Sequence, residues 1–163
     1  MRKILANNKG LSLIELVVTM VILTLLASLI LPSAQMAAKR TKEIELRRNL
    51  REIRTAIDEY KKNYDKAYSD QKSAQVLNKS GYPETLQVLV DGDDFGGLLK
   101  VKRKFLRRIP KDPFHEAKEG EPVWGMRSQE DEPDSTTWGG EDVFDVYSLS
   151  DGVAIDGTKY KDW

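Results

Sequence analysis

Residues 11–31 read LSLIELVVTMVILTLLASLIL, twenty-one residues carrying one charge, Glu15. A helix of roughly 20 apolar residues spans the hydrocarbon core of a bilayer. The run therefore predicts a membrane-spanning helix. Arg2, Lys3 and Lys9 precede it, and positive charge there holds that end in the cytoplasm and sends the rest outward. An ordinary secretory signal peptide fits less well. Its apolar region is usually about 7–15 residues long and ends in an A-x-A-like cleavage site. Here Pro32 and Ser33 follow, and then the helical-looking QMAAKRTKEIELRRNL. A simple signal anchor leaves Glu15 unexplained. A carboxylate in a membrane helix costs about 2.5–3.5 kcal/mol on insertion scales. It either snorkels to the interface or has a partner.

Charge is as segregated as hydropathy. The whole chain holds 26 basic and 26 acidic residues. Residues 1–68 carry 13 basic and 7 acidic groups, net +6, and residues 69–163 carry 13 and 19, net −6. Within the second part, residues 112–163 hold 14 acidic against 4 basic groups, net −10. A basic stem and an acidic head thus sum to zero, which removes a whole-chain argument for nucleic-acid binding. No cysteine is present, so disulfides, thiol nucleophiles and cysteine-ligated metals are excluded. The single histidine, His115, excludes multi-histidine centres.

Beyond Pro32 the pattern becomes amphipathic. Leu46, Leu50, Ile53, Ile57, Tyr60, Tyr64 and Ala67 are spaced 4, 3, 4, 3, 4, 3, one apolar stripe of a helix. Arg47, Arg48, Arg51, Glu52, Arg54, Asp58 and Glu59 fill the other faces, a solvated surface or one that pairs with neighbouring chains. So narrow a stripe needs a partner, and the following head is the natural one. The two segments predict one helix of about 55 residues, bent near Pro32, which cannot donate to the Ser28 carbonyl. In the head, GYPETLQVLVD predicts a turn and a short helix over 84–90. EPVWGMRS and DVFDVYSLS predict short strands around the acidic loop EDEPDSTTWGGE. The head core is expected from Tyr82, Leu86, Leu89, Phe105, Phe114, Trp124, Phe144, Tyr147 and Trp163.

Lys9-Gly10 followed by LSLIELVVTMVILTLLASLILP resembles the N-terminal signature of type IV pilins and type II secretion pseudopilins. The resemblance implies that a prepilin peptidase cuts after Gly10 and that the new N-terminus, Leu11, is methylated. It makes Glu15 the signature glutamate, fifth in the mature chain, and Pro32 the helix proline. Two positions depart from the family pattern. Leu11 stands where phenylalanine is usual, and Thr24 where many members have glycine. The chemistry is intelligible from below. The Leu11 amine and the Glu15 carboxylate are each costly in an apolar setting, and pairing between neighbouring subunits relieves both. Such a pair fixes register.

The head is similar to that of major, G-type pseudopilins, in Tyr82, Pro83, Leu86 and Leu89 and in the block Pro110, Asp112, Pro113 and Phe114. The fold class expected is α+β. A long N-terminal helix, membrane-spanning in its first half and amphipathic in its second, packs on a small antiparallel β-sheet head. The expected organisation is a leader over 1–10, an assembly helix over 11–31, an amphipathic helix over 32–68 and a periplasmic head over 69–163. The resemblance also implies calcium in the C-terminal loop. Ser148, Leu149, Ser150, Asp151 and Asp156 are the candidate ligands there, calcium taking six to eight oxygens. A plain Asp-Gly turn closed by Trp163 is the alternative.

The function implied is a structural subunit of a secretion pseudopilus, a homopolymer helping export across the outer membrane. Its partners would be the prepilin peptidase, minor pseudopilins and an inner-membrane assembly platform with its ATPase. It would sit in the inner membrane before assembly and in a periplasmic filament after. The alternative is an extracellular type IV pilin for adhesion or motility. The residues show no nucleophile–base pair, phosphate-binding loop or metal-ligand cluster, so an enzyme is not expected.

Overall fold

The computed structural model describes residues 10–71, 80–97, 99–118 and 120–163. Arg2, Lys3 and Lys9 lie outside the described residues, as does most of the loop expected at 69–80. Two compact units divide the chain, Met1–Arg40 and Thr41–Trp163. Helix α1, Leu13–Gln71, contributes residues to both and contains Pro32. It begins where a cap is available. Ser12 Oγ accepts the Glu15 amide at 3.2 Å and the Ser12 carbonyl accepts the Leu16 amide. Ser12 is thus the N-cap and Glu15 the third helical residue, the spacing of a capping box.

In the second unit α1 supplies one wall of the core. Leu46, Leu50, Ile53, Ile57, Tyr60 and Ala67 are buried, and Tyr64 packs half-buried against them. The predicted stripe is therefore the packed face, widened by Ala56. Helix α2, Leu86–Asp91, starts two residues later than expected and buries Leu86 and Leu89. Strands β1, Gly125–Arg127, and β2, Asp145–Tyr147, pair antiparallel with Met126 opposite Val146. Gly125 is required there, because a Cβ would overlap the Tyr147 ring. The result is the expected α+β arrangement, a long apolar helix with a small two-stranded sheet.

Apart from a 3-10 turn at Tyr160–Asp162, the other described residues of the head are irregular chain pinned by hydrogen bonds. The Leu89 carbonyl accepts the amides of both Phe105 and Leu106 at 2.9 Å. Asp93 and Arg103 exchange backbone bonds of 3.1 and 2.8 Å. Gly92 allows that approach; its φ is +87° and a Cβ would lie 3.0 Å from the Arg103 carbonyl. The Pro110–Phe114 block is tied on three sides. Trp124 Nε1 donates to Pro110 O at 2.8 Å and Asn49 Nδ2 to Lys111 O at 2.9 Å. Buried Asp112 accepts the Phe114 amide and the Ser148 hydroxyl.

One core expectation needs correction. Phe144 is 47% exposed and meets Tyr82 edge-on. It lies just before β2, outside the paired strand, between buried Val143 and buried Val146. The core instead includes Phe95, Leu106, Val143, Val146, Ala154 and Tyr160.

Candidate functional site

The N-terminal segment is built to be covered by something other than its own chain. Leu11, Leu13, Ile14, Met20, Leu23, Leu25 and Leu26 are all at least half exposed, Leu13 at 81%. The helix is long and apolar enough to cross a membrane. Its hydroxyls are satisfied within the helix. Thr19 Oγ1 donates to Leu16 O, Thr24 Oγ1 to Met20 O and Ser28 Oγ to Leu25 O, at 2.7–2.8 Å. A polar side chain that bonds its own backbone needs no water, which suits it to hydrocarbon. Thr24 thus stands where many pilin-like chains have glycine without leaving an unpaired hydroxyl.

Gly10 has no packing reason to be glycine. Among the described residues nothing lies within 4 Å of where its Cβ would go, and its backbone is not left-handed. Leu11 is 70% exposed beside it. Glu15, as third helical residue, also complements the positive end of the helix dipole. The Ser12 cap was legible in the Ser-x-x-Glu spacing, though Glu15 alone drew the sequence reading.

A second cluster joins the C-terminal segment to α1 inside the second unit. Glu43, Arg47 and Arg54 reach it from α1. Buried Glu43 accepts the Ile155 amide at 2.8 Å and the Tyr160 hydroxyl at 3.0 Å. Burial first, and then that carboxylate, push the Tyr160 phenol up to about 12. Arg47 lies 4.1 Å from the Trp163 ring centroid and pairs with Asp156 at 3.3 Å. Arg54 bonds Asp145 at 2.6 Å, the Val146 carbonyl at 3.0 Å and the Trp163 carbonyl at 2.7 Å. Asp156 accepts Thr158 N and Oγ1. Those bonds, and then Arg47, hold the Asp156 carboxyl below its usual range.

This arrangement bears on calcium. Ser148 Oγ donates to Asp112 and accepts the Ser150 amide, and Ser150 Oγ accepts the Gly152 amide. Asp156 faces Arg47. Asp151 is exposed, and the Leu149 carbonyl adds at most one oxygen. Among the described residues, no group of three or more Asp, Glu or His side chains gathers that could hold a metal. The residues as placed do not fit a six- to eight-oxygen site. A guanidinium stands at Asp156 instead.

Residues 5–31 match the family model for the prokaryotic N-terminal methylation motif. That match spans Gly10, Leu11 and Glu15 and supports a type IV pilin-like precursor, which implies processing by a prepilin peptidase and filament assembly. No curated protein and no solved structure matches the chain.

Proposed function

We propose that this chain is a structural subunit of a type II secretion pseudopilus. Its leader is cut after Gly10, Leu11 is methylated, and the head projects into the periplasm. The observation that carries the subunit reading is the methylation motif over 5–31 at the start of a helix whose large apolar side chains over Leu13–Leu26 are exposed. Lipid covers those side chains before assembly, and neighbouring copies cover them after. Support for the secretion pseudopilus over an adhesive or motile type IV pilus comes from the head. Its Pro110–Phe114 block is a structural hub, and the chain has no cysteine for the C-terminal disulfide most such pilins carry. The partners proposed are the prepilin peptidase, minor pseudopilins, and the inner-membrane platform with its ATPase. Arg47 and Glu43 close the C-terminal loop through Asp156, Ile155 and Tyr160.

Each chemical step rests on one side chain. The peptidase subsite accepts Gly10 because it has no side chain, so Gly10→Glu accumulates as full-length precursor in membranes. Glu15→Val leaves the scissile bond untouched and is cut normally, yet forms few filaments because the neighbour's Leu11 amine loses its counter-charge. Immunoblots and electron microscopy of the two variants read both steps. Normal-sized mature Gly10→Glu protein would overturn the cleavage assignment, and abundant Glu15→Val filaments the pairing.

A further inference from the structure

Within the head, α1 separates two edges of opposite charge. One is an open groove of about 700 Å³ between α1 and the segment 105–108, lined by Arg48, Arg51, Phe105, Leu106, Arg107 and Arg108. It continues past Lys111. Glu45, Glu52 and Glu59 share its rim, yet none of the five cations forms an ion pair among the described residues. The adjoining stretch 100–111 holds seven basic residues and no acidic one.

The other edge is the loop 128–144 between β1 and β2. It contains no basic residue, and Glu130, Glu132, Asp134 and Glu141 are exposed on it. The loop is stiffened from inside. Asp131 accepts the Ser128 and Gly139 amides, Asp142 accepts the Gln129 amide, and Trp138 Nε1 donates to the Asp142 carbonyl. The flanks follow from the helix. Successive residues turn by about 100°, so Glu52 and Arg54 lie on opposite sides of buried Ile53. Glu52 lines the basic groove, and Arg54 holds Asp145 at the loop's end.

We infer that the basic groove of one copy of this chain docks the acidic 128–144 loop of the next. A symmetric contact would set like charge against like and cost energy. The favourable contact is heterologous, so each added copy still offers one free edge of each sign. Such a contact grows into an open filament. This rests on the polymer-subunit reading and deepens it, giving the head a directional part in assembly.

The chain lacks cysteine, so introduced thiols report contacts without background. The full-length chain carrying both Arg107→Cys and Asp134→Cys is oxidised in membranes of assembling cells. A ladder of disulfide-linked multimers is expected on a non-reducing gel. Each single-cysteine chain is expected to stay monomeric. Arg107→Glu with Arg108→Glu should lower filament yield about tenfold, and so should Glu130→Lys with Asp134→Lys. All four together should restore it, and none should shift the head's melting temperature. No ladder, or no rescue by the four-fold swap, in cells where the wild-type chain is cut and forms filaments overturns the edge contact alone. If the wild-type chain is neither cut nor assembled, the polymer reading fails, and the ladder still judges the edge contact.

Discussion

Within one helix, α1, the same residue types do opposite things. Over Leu13–Leu26 large aliphatic side chains point outward all round, at 45–81% exposure. Over Leu46–Ala67 the aliphatic and aromatic residues occupy one stripe, and Leu46, Ile53 and Ile57 are fully buried. The difference is in what fills the other faces: Glu15 is the one charge over 13–26, whereas charged residues surround the stripe over 46–67. A helix apolar on every face has no side to turn to water and must be covered by lipid or by other helices. A helix apolar on one stripe is completed by its own head. The first segment therefore depends on assembly or membrane for cover, and the second on tertiary packing.

The comparison predicts where substitutions are felt. Trp124 is 1% exposed and ties Pro110 through its indole. Trp124→Ala should cost the head about 3–5 kcal/mol, read by chemical denaturation. Leu26→Ala, on the uncovered segment, should leave the head's midpoint unchanged. An equal loss from both would erase the distinction.

A smaller effect separates acceptor from packing at Glu43. Glu43→Ala strands the Tyr160 hydroxyl and the Ile155 amide, at about 1–3 kcal/mol. Glu43→Gln keeps an acceptor and should recover most of it. If glutamine is no better than alanine, the hydrogen bonds are not what holds the C-terminal segment.

The smallest effect lies at Arg47. Its pair with Asp156 is more than half exposed, and water and salt screen such exposed pairs so that they contribute little. Arg47→Ala should lower the melting temperature only slightly, and chelator should not change that of the wild type. A rise in millimolar calcium that Asp151→Ala removes would favour the metal closure instead. Asp131 and Asp156 both hold their protons less tightly when folded than the ordinary 3.8. Their contribution is therefore complete above that pH and lost as pH falls below it. Asp156→Asn should flatten part of that acid slope.

What the sequence disclosed follows from periodicity. The stripe from Leu46 to Ala67 was readable because side chains spaced 3 and 4 share a face. The two short strands were readable between turn-rich stretches, but their length was not: only three residues in each pair. Glu43 was hidden because a glutamate among arginines and lysines reads as solvent-facing. Its partners lie 112 and 117 residues away. Arg47 and Arg54 were hidden for the same reason. Phe144 misled because aromatic bulk suggests core, while the residue stands exposed beside Tyr82, just ahead of β2.

The central claim is that Gly10 ends a leader and Leu11 begins the working subunit. Mass spectrometry of the chain recovered from membranes tests it most directly. The account predicts a mature protein beginning at N-methylated Leu11, with residues 1–10 absent. A chain that retains its leader, or that begins anywhere other than Leu11, would contradict it.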